Sequence, residues 1–208
     1  MHPLIPRLRQ ARIIPVVRAS TAARAATAVA WLQEAGMTVF EITMTVPEAP
    51  ALIRALSADP ALLVGAGTVP DARAAEACLE AGARFIVAPW VDATLAAPVQ
   101  DAGACLMLGA LTPTEVRAAL AAGADVVKIF PAASAGGPAH IKALRAVFPD
   151  VAFCPTGGVD ARNAPDYLAA GAAFVGIGGR LVDEALVAAG DRKAVMQAAE
   201  DALGIMRT

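Results

Sequence analysis

An alanine–glycine pair, then a small or apolar residue, then a β-rich run: this phrase occurs five times in the chain. The instances are EAGMTVFEI, EAGARFIVAP, DAGACLMLGA, AAGADVVKIFPA and AAGAAFVGIGG. Their glycines, Gly36, Gly82, Gly103, Gly123 and Gly171, are 46, 21, 20 and 48 residues apart. The short gaps are single units and the long gaps are two. Where a unit lacks the phrase, DPALLVGAGTV and PDVAFCPTGGV supply the strand. Each glycine stands where a helix should stop, because only glycine enters the left-handed region without a side-chain clash. A fixed period of this kind restricts the chain to a repeated supersecondary unit.

Between the strands lie Ala-rich amphipathic stretches such as TPTEVRAALAA and DARAAEACLEA. With IIPVV near the start, the pattern predicts eight strands centred on Val16, Val39, Leu63, Ile86, Leu106, Val127, Phe153 and Val175. The strands are nearly continuous apolar runs, as in a parallel sheet covered on both faces. Eight near-equal βα units in 208 residues predict a single (β/α)8 TIM barrel spanning residues 1–208. Further helices are expected at about residues 3–12 and 190–206. No linker or charge block marks a second domain.

The chain is 57% hydrophobic and 17% charged, which excludes a disordered chain. No stretch free of Asp, Glu, Lys and Arg exceeds 13 residues (102–114 is one), too short for a membrane helix of roughly 20 residues. A net charge of −2 with 4% aromatics gives no basic or stacking surface for nucleic acid. The N-terminal MHPLIPRLRQARIIPVV has no apolar core followed by a small-residue cleavage site. Cys78, Cys105 and Cys154 are scattered and odd in number, which fits reduced core thiols. A cytoplasmic protein is expected. With only His2 and His140, no metal site is expected.

Barrel chemistry sits at the C-terminal strand ends and the loops after them. Two residues there break the apolar pattern. Lys128 is one of three lysines against fourteen arginines, and it lies inside Val-Val-Lys-Ile-Phe. An ammonium buried there is costly unless paired, and burial favours the neutral amine that forms an imine with a carbonyl substrate. A lysine paired to a buried carboxylate, or one touching phosphate, is the plainer alternative. Glu41, in Val-Phe-Glu-Ile-Thr, holds the same kind of position on the second strand. It suits general acid–base work; a salt bridge to Lys128 or Arg18 is the alternative.

Thr156-Gly157-Gly158 and Gly178-Gly179-Arg180 follow strands seven and eight, the usual phosphate corner of barrels. Glycine lets backbone N–H groups approach an anion, and Arg180 adds a bidentate donor. Arg18 closes strand one and is a candidate for a carboxylate or phosphate, with a surface ion pair as the alternative. Thr68, after a Gly-Ala-Gly turn, offers a hydroxyl and an N–H, or simply caps a helix. His140 reads as a structural residue of the sixth helix.

The segments IIPVVRA, GMTVFEITMTVPEA, VGAGTV, ARFIVAP, LTPTE, VVKIFPA, FCPTGGV and VGIGG, in order from about residue 13 to 182, make the chain resemble the 2-keto-3-deoxy-6-phosphogluconate (KDPG) and 4-hydroxy-2-oxoglutarate aldolases. The resemblance implies a class I aldolase without metal or other cofactor, in which Lys128 forms an imine with pyruvate or the keto acid and Glu41 moves protons. It implies that Thr68 helps hold the pyruvate carboxylate, with Arg18, Thr43, Thr45, Pro89, Phe130 and Thr156 around the substrate. It also places Gly157, Gly158, Gly178 and Gly179 near a phosphate, and implies a homotrimer. Thr45 stands where some members carry an arginine, which makes Arg18 its substitute. Leu108-Gly109 replaces a frequent Pro-Gly, and Arg180 replaces a frequent small residue. The expected reaction is reversible cleavage of KDPG to pyruvate and glyceraldehyde 3-phosphate. The 6-phosphogalactonate epimer and 4-hydroxy-2-oxoglutarate are alternative substrates. A phosphate-binding isomerase or epimerase barrel, and a non-catalytic phosphate-metabolite-binding barrel, are the readings from other classes.

Overall fold

In the computed structural model, which describes the backbone of residues 1–207 and the side chains up to residue 204, eight parallel strands form a barrel. They are β1 (Ile13–Val17), β2 (Val39–Thr43), β3 (Leu63–Gly67), β4 (Phe85–Ala88), β5 (Cys105–Ala110), β6 (Val126–Ile129), β7 (Phe153–Pro155) and β8 (Val175–Ile177). Each contains the residue on which a strand was expected. Ladders run in order from β8 through β1 to β7, and a parallel bridge between Thr156 and Gly176 closes the ring. The architecture is the (β/α)8 TIM barrel.

The helices are α1 (Ile5–Ala11), α2 (Ala22–Glu34), α3 (Ala49–Ser57), α4 (Ala72–Glu80), α5 (Ala96–Asp101), α6 (Pro113–Ala121), α7 (Gly137–Val147), α8 (Ala164–Ala169), α9 (Glu184–Ala188) and α10 (Arg192–Arg207). Helices α1 and α10 are the expected additions at the two ends; Thr208 lies outside the described residues. The five glycines of the repeated phrase all have positive φ, between +62° and +102°, so each stops its helix as expected. Helix starts are capped by side chains: Thr21 for α2, Asp71 for α4, Thr112 for α6 and Asp183 for α9.

Alternation along the strands sorts residues between two cores. Phe40, Ile42, Val64, Ile86, Leu106, Val127 and Ile129 face the helices. Ile14, Val39, Leu63, Phe85, Cys105, Met107, Val126 and Phe174 fill the barrel, with Ile5 and Leu8 of α1 joining that inner cluster. Two residues after Val39 comes Glu41, and two after Val126 comes Lys128. The period of two therefore turns both charged side chains inward.

Candidate active site

Lys128 and Glu41 are each only 4% exposed, and they meet inside the barrel with Nζ 3.4 Å from Oε1. The salt bridge weighed as an alternative is present, and it joins the two residues proposed for chemistry. Each is the other's compensation for burial, since an unpaired charge here would be prohibitively costly. Room for Glu41 comes from the neighbouring strand: a Cβ on Gly67 would stand 2.0 Å from Glu41 Oε1. Gly65 likewise gives way to the Phe85 ring, at 2.3 Å, and Gly176 to Thr156 Oγ1, at 2.4 Å. Gly65-Ala-Gly67 is thus part of β3 and not the turn expected from its composition. Its glycines serve neighbouring side chains on the inner face.

The pair opens into a cavity of about 730 Å³ at the C-terminal ends of the strands. Phe130 forms one wall, its ring centroid 5.6 Å from Lys128 Nζ. Arg18, Thr68 and Pro89 line the cavity from β1, β3 and β4. Thr156, Gly157 and Gly158 line it after β7, and Gly178, Gly179 and Arg180 after β8. Thr68 has φ +56°, and Asp71, not Thr68, caps the following helix. Neither the Arg18 nor the Arg180 guanidinium has an ion-pair or hydrogen-bond partner among the described residues.

Two of the expected contacts lie elsewhere. Thr43 is fully buried, and its hydroxyl donates to the Val17 carbonyl and meets Thr45 Oγ1 at 2.7 Å. That hydroxyl ties β2 to β1, and neither threonine lines the cavity. Sequence reasoning passed over Gly67, and also Asp183 and Glu184, which line the rim beside Arg180. Beside the charged pair, Cys154 is the register partner of Lys128 across the β6–β7 ladder. Burial pushes its thiol up to about 12; Lys128 pulls it back and Glu41 adds to the rise. The group beside Lys128 on β7 is therefore a neutral thiol. A second cavity, of about 530 Å³, lies near α1 and the N-terminal end of the barrel, lined in part by Arg7, Gln10, Met37 and Thr38, with no lysine or carboxylate among the described residues. Among the described residues no group of His, Cys, Asp and Glu is arranged to hold a metal, and no helix is long and apolar enough to cross a membrane.

A buried lysine beside a carboxylate at the mouth of a parallel barrel is able to condense with a carbonyl group. The sequence model of the KDPG and KHG aldolases matches residues 4–198. The chain belongs to this family. It is 37% identical over 196 residues to the 2-dehydro-3-deoxy-phosphogluconate aldolase of Pseudomonas aeruginosa, covering 94% of this chain and 89% of that one. A probable 2-dehydro-3-deoxy-6-phosphogalactonate aldolase of Rhizobium meliloti is 38% identical over 172 residues, 81% of each chain. The Legionella pneumophila KDPG aldolase, solved with pyruvate captured as a covalent carbinolamine, superposes with a TM-score of 0.85 at 31% identity, covering 94% of this chain and 96% of that one. The protein is therefore a lyase of the aldolase class.

Proposed function

We propose that this protein reversibly cleaves 2-keto-3-deoxy-6-phosphogluconate to pyruvate and glyceraldehyde 3-phosphate through an imine on Lys128. The observation that carries the reading is the buried contact between Lys128 and Glu41 at the head of the cavity. Glu41 is close enough to take a proton from Nζ, which frees the amine to attack C2 of the keto acid. Returned to the carbinolamine hydroxyl, that proton allows water to leave and the iminium to form. Glu41, again a carboxylate, then accepts the C4 hydroxyl proton, directly or through water. The C3–C4 bond breaks, its electrons flow into the iminium, and the aldehyde departs. Protonation of the enamine at C3 and hydrolysis release pyruvate and restore the lysine.

Thr68, with Arg18, is assigned to the carboxylate, and Phe130, Pro89 and Thr156 to the walls of the keto-acid pocket. The glycines at 157–158 and 178–179, with Arg180, are assigned to the phosphate. Thr43 and Thr45 are left to support the loop after β2. The likeness to the Rhizobium meliloti relative makes the 6-phosphogalactonate epimer the second substrate to assay. A homotrimer, which rests on the family resemblance, and a cytoplasmic location, which rests on the scattered cysteines, belong to the same proposal.

Borohydride reduction in the presence of pyruvate, read by intact mass and peptide mapping, tests the mechanism. The expected result is one reduced pyruvyl adduct on Lys128, lost in Lys128→Ala. A folded protein that gives no adduct refutes the imine.

A further inference from the structure

Lys128 has a register partner on each side of β6: Gly109 on β5, which offers no side chain, and Cys154 on β7. Cys154 is buried and belongs to the inner cluster of the barrel. The other two free cysteines are engaged elsewhere, Cys78 donating to Met44 Sδ at 3.3 Å and Cys105 paired in register with Phe85. Cys154 Sγ instead lies 3.8 Å from Oγ1 of Thr156, two residues further along the chain, which lines the cavity.

The position of Thr156 is fixed by other groups; the direction of its hydroxyl proton is not. Its amide donates to the Ile129 carbonyl at 2.9 Å, and its carbonyl accepts the Ala132 amide at 2.8 Å. Its Oγ1 packs into space that Gly176 leaves open, where a Cβ would stand 2.4 Å away. Among the described residues, Cys154 is the one hydrogen-bond partner of that oxygen. A hydroxyl carries one proton and two lone pairs, so its partner decides which of them faces the cavity. Burial keeps the Cys154 thiol protonated, and the Gly176 amide acts on the sulfur from β8. Oxygen is the better acceptor of the two atoms, so the S–H points to Oγ1.

We propose that Cys154 is a positioning residue for the reaction: its S–H donates to Thr156 Oγ1 and turns the single proton of that hydroxyl into the cavity, where it meets an oxygen of the bound keto acid. The inference rests on the aldolase reading above and adds the group that orients one wall of its pocket. A hydrogen bond from a thiol is weak, so the effect is a modest one that a variant series resolves better than a single substitution.

Steady-state kinetics on 2-keto-3-deoxy-6-phosphogluconate, with thermal melting and borohydride trapping of pyruvate on each protein, test it. Cys154→Ala should lower kcat/KM about two- to fivefold. Cys154→Ser, which keeps a donor, should restore the wild-type value. Cys154→Val, which fills the space without a donor, should behave like Cys154→Ala and serves in its place if the smaller side chain destabilises the barrel. In a Thr156→Val background, with no hydroxyl to orient, Cys154→Ala should cost nothing further. A wild-type kcat/KM in both donor-free variants overturns the orienting role. So does a loss shared by Cys154→Ser, or a loss as large with Thr156→Val as without it, which would mean that Cys154 acts by packing alone. Trapping in the variants shows that the lysine chemistry is intact, whereas its failure in the wild type would refute the aldolase reading instead.

Discussion

At the scale of single residues, the site depends on absences as much as on side chains. Gly67 carries no chemistry, yet a Cβ there would stand 2.0 Å from Glu41 Oε1. Gly67→Ala should therefore push the carboxylate off Lys128 while the barrel still folds. A displacement of about 1 Å in a catalytic group costs on the order of 10²-fold. The expected outcome is a kcat lower by about that factor, with an unchanged far-UV spectrum; wild-type turnover would show that Glu41 tolerates another position. The buried pairing of Lys128 with Glu41 was legible in the sequence because a charge inside an apolar strand is expensive unless another charge meets it. Gly67 was not legible, since its reason is a side chain on the neighbouring strand. Glu184 was hidden for a related cause: its partner Ser20 comes together with it only when the barrel closes.

At the scale of elements, the repeat carried the fold because each βα unit is locally consistent. Val39, Leu63, Phe153 and Val175, expected as strand centres, are instead the first residues of their strands. Polar and glycine residues beyond the apolar run still pair in the ladder, as Thr43 does with Gly67. Caps are where local sequence and structure agree most closely. Thr112-Pro113-Thr114-Glu115 starts α6 with a capping box: Glu115 N–H donates to Thr112 Oγ1 at 3.3 Å, and Glu115 Oε2 accepts the Thr112 amide at 2.7 Å. The Leu111 amide and the Thr112 hydroxyl also donate to that oxygen, each at 2.9 Å. The backbone amides of Thr112 and Leu111, helped by the Thr112 hydroxyl, hold the Glu115 carboxyl below its ordinary value. The folded value lies below the unfolded one, so this contribution is complete above the unfolded value and is lost as pH falls through the folded one. Thr112→Ala should cost about 1 kcal/mol at neutral pH, a fall in Tm of about 2–4 °C. The gap between variant and wild type should narrow in acid; a gap that widens below pH 4 would contradict the sign.

At the scale of the whole molecule, the barrel is not closed evenly. Strands β2 and β3 pair along their full length, from Val39–Leu63 to Thr43–Gly67. Between β7 and β8 the closure consists of the Thr156–Gly176 bridge and the Ala173 amide on the Phe153 carbonyl, at 2.8 Å. Both glycine doublets assigned to the phosphate follow the two strands of this seam. Ligand-binding regions are drawn from the less stable parts of a fold, where a bound group can add the missing order. Native-state hydrogen exchange should find the amides facing the seam, Ala173 among them, opening more readily than those between β2 and β3. A phosphorylated ligand at 100 times its Kd should then slow exchange at the seam by about 100-fold, the mass-action limit for binding that requires the closed form. Pyruvate alone, which carries no phosphate and on the proposed mechanism engages only Lys128, should leave the seam unprotected. Equal protection by pyruvate would place the coupling at the lysine, and seam amides as slow as those of β2 and β3 without any ligand would mean that this short closure holds the barrel as firmly as a full ladder.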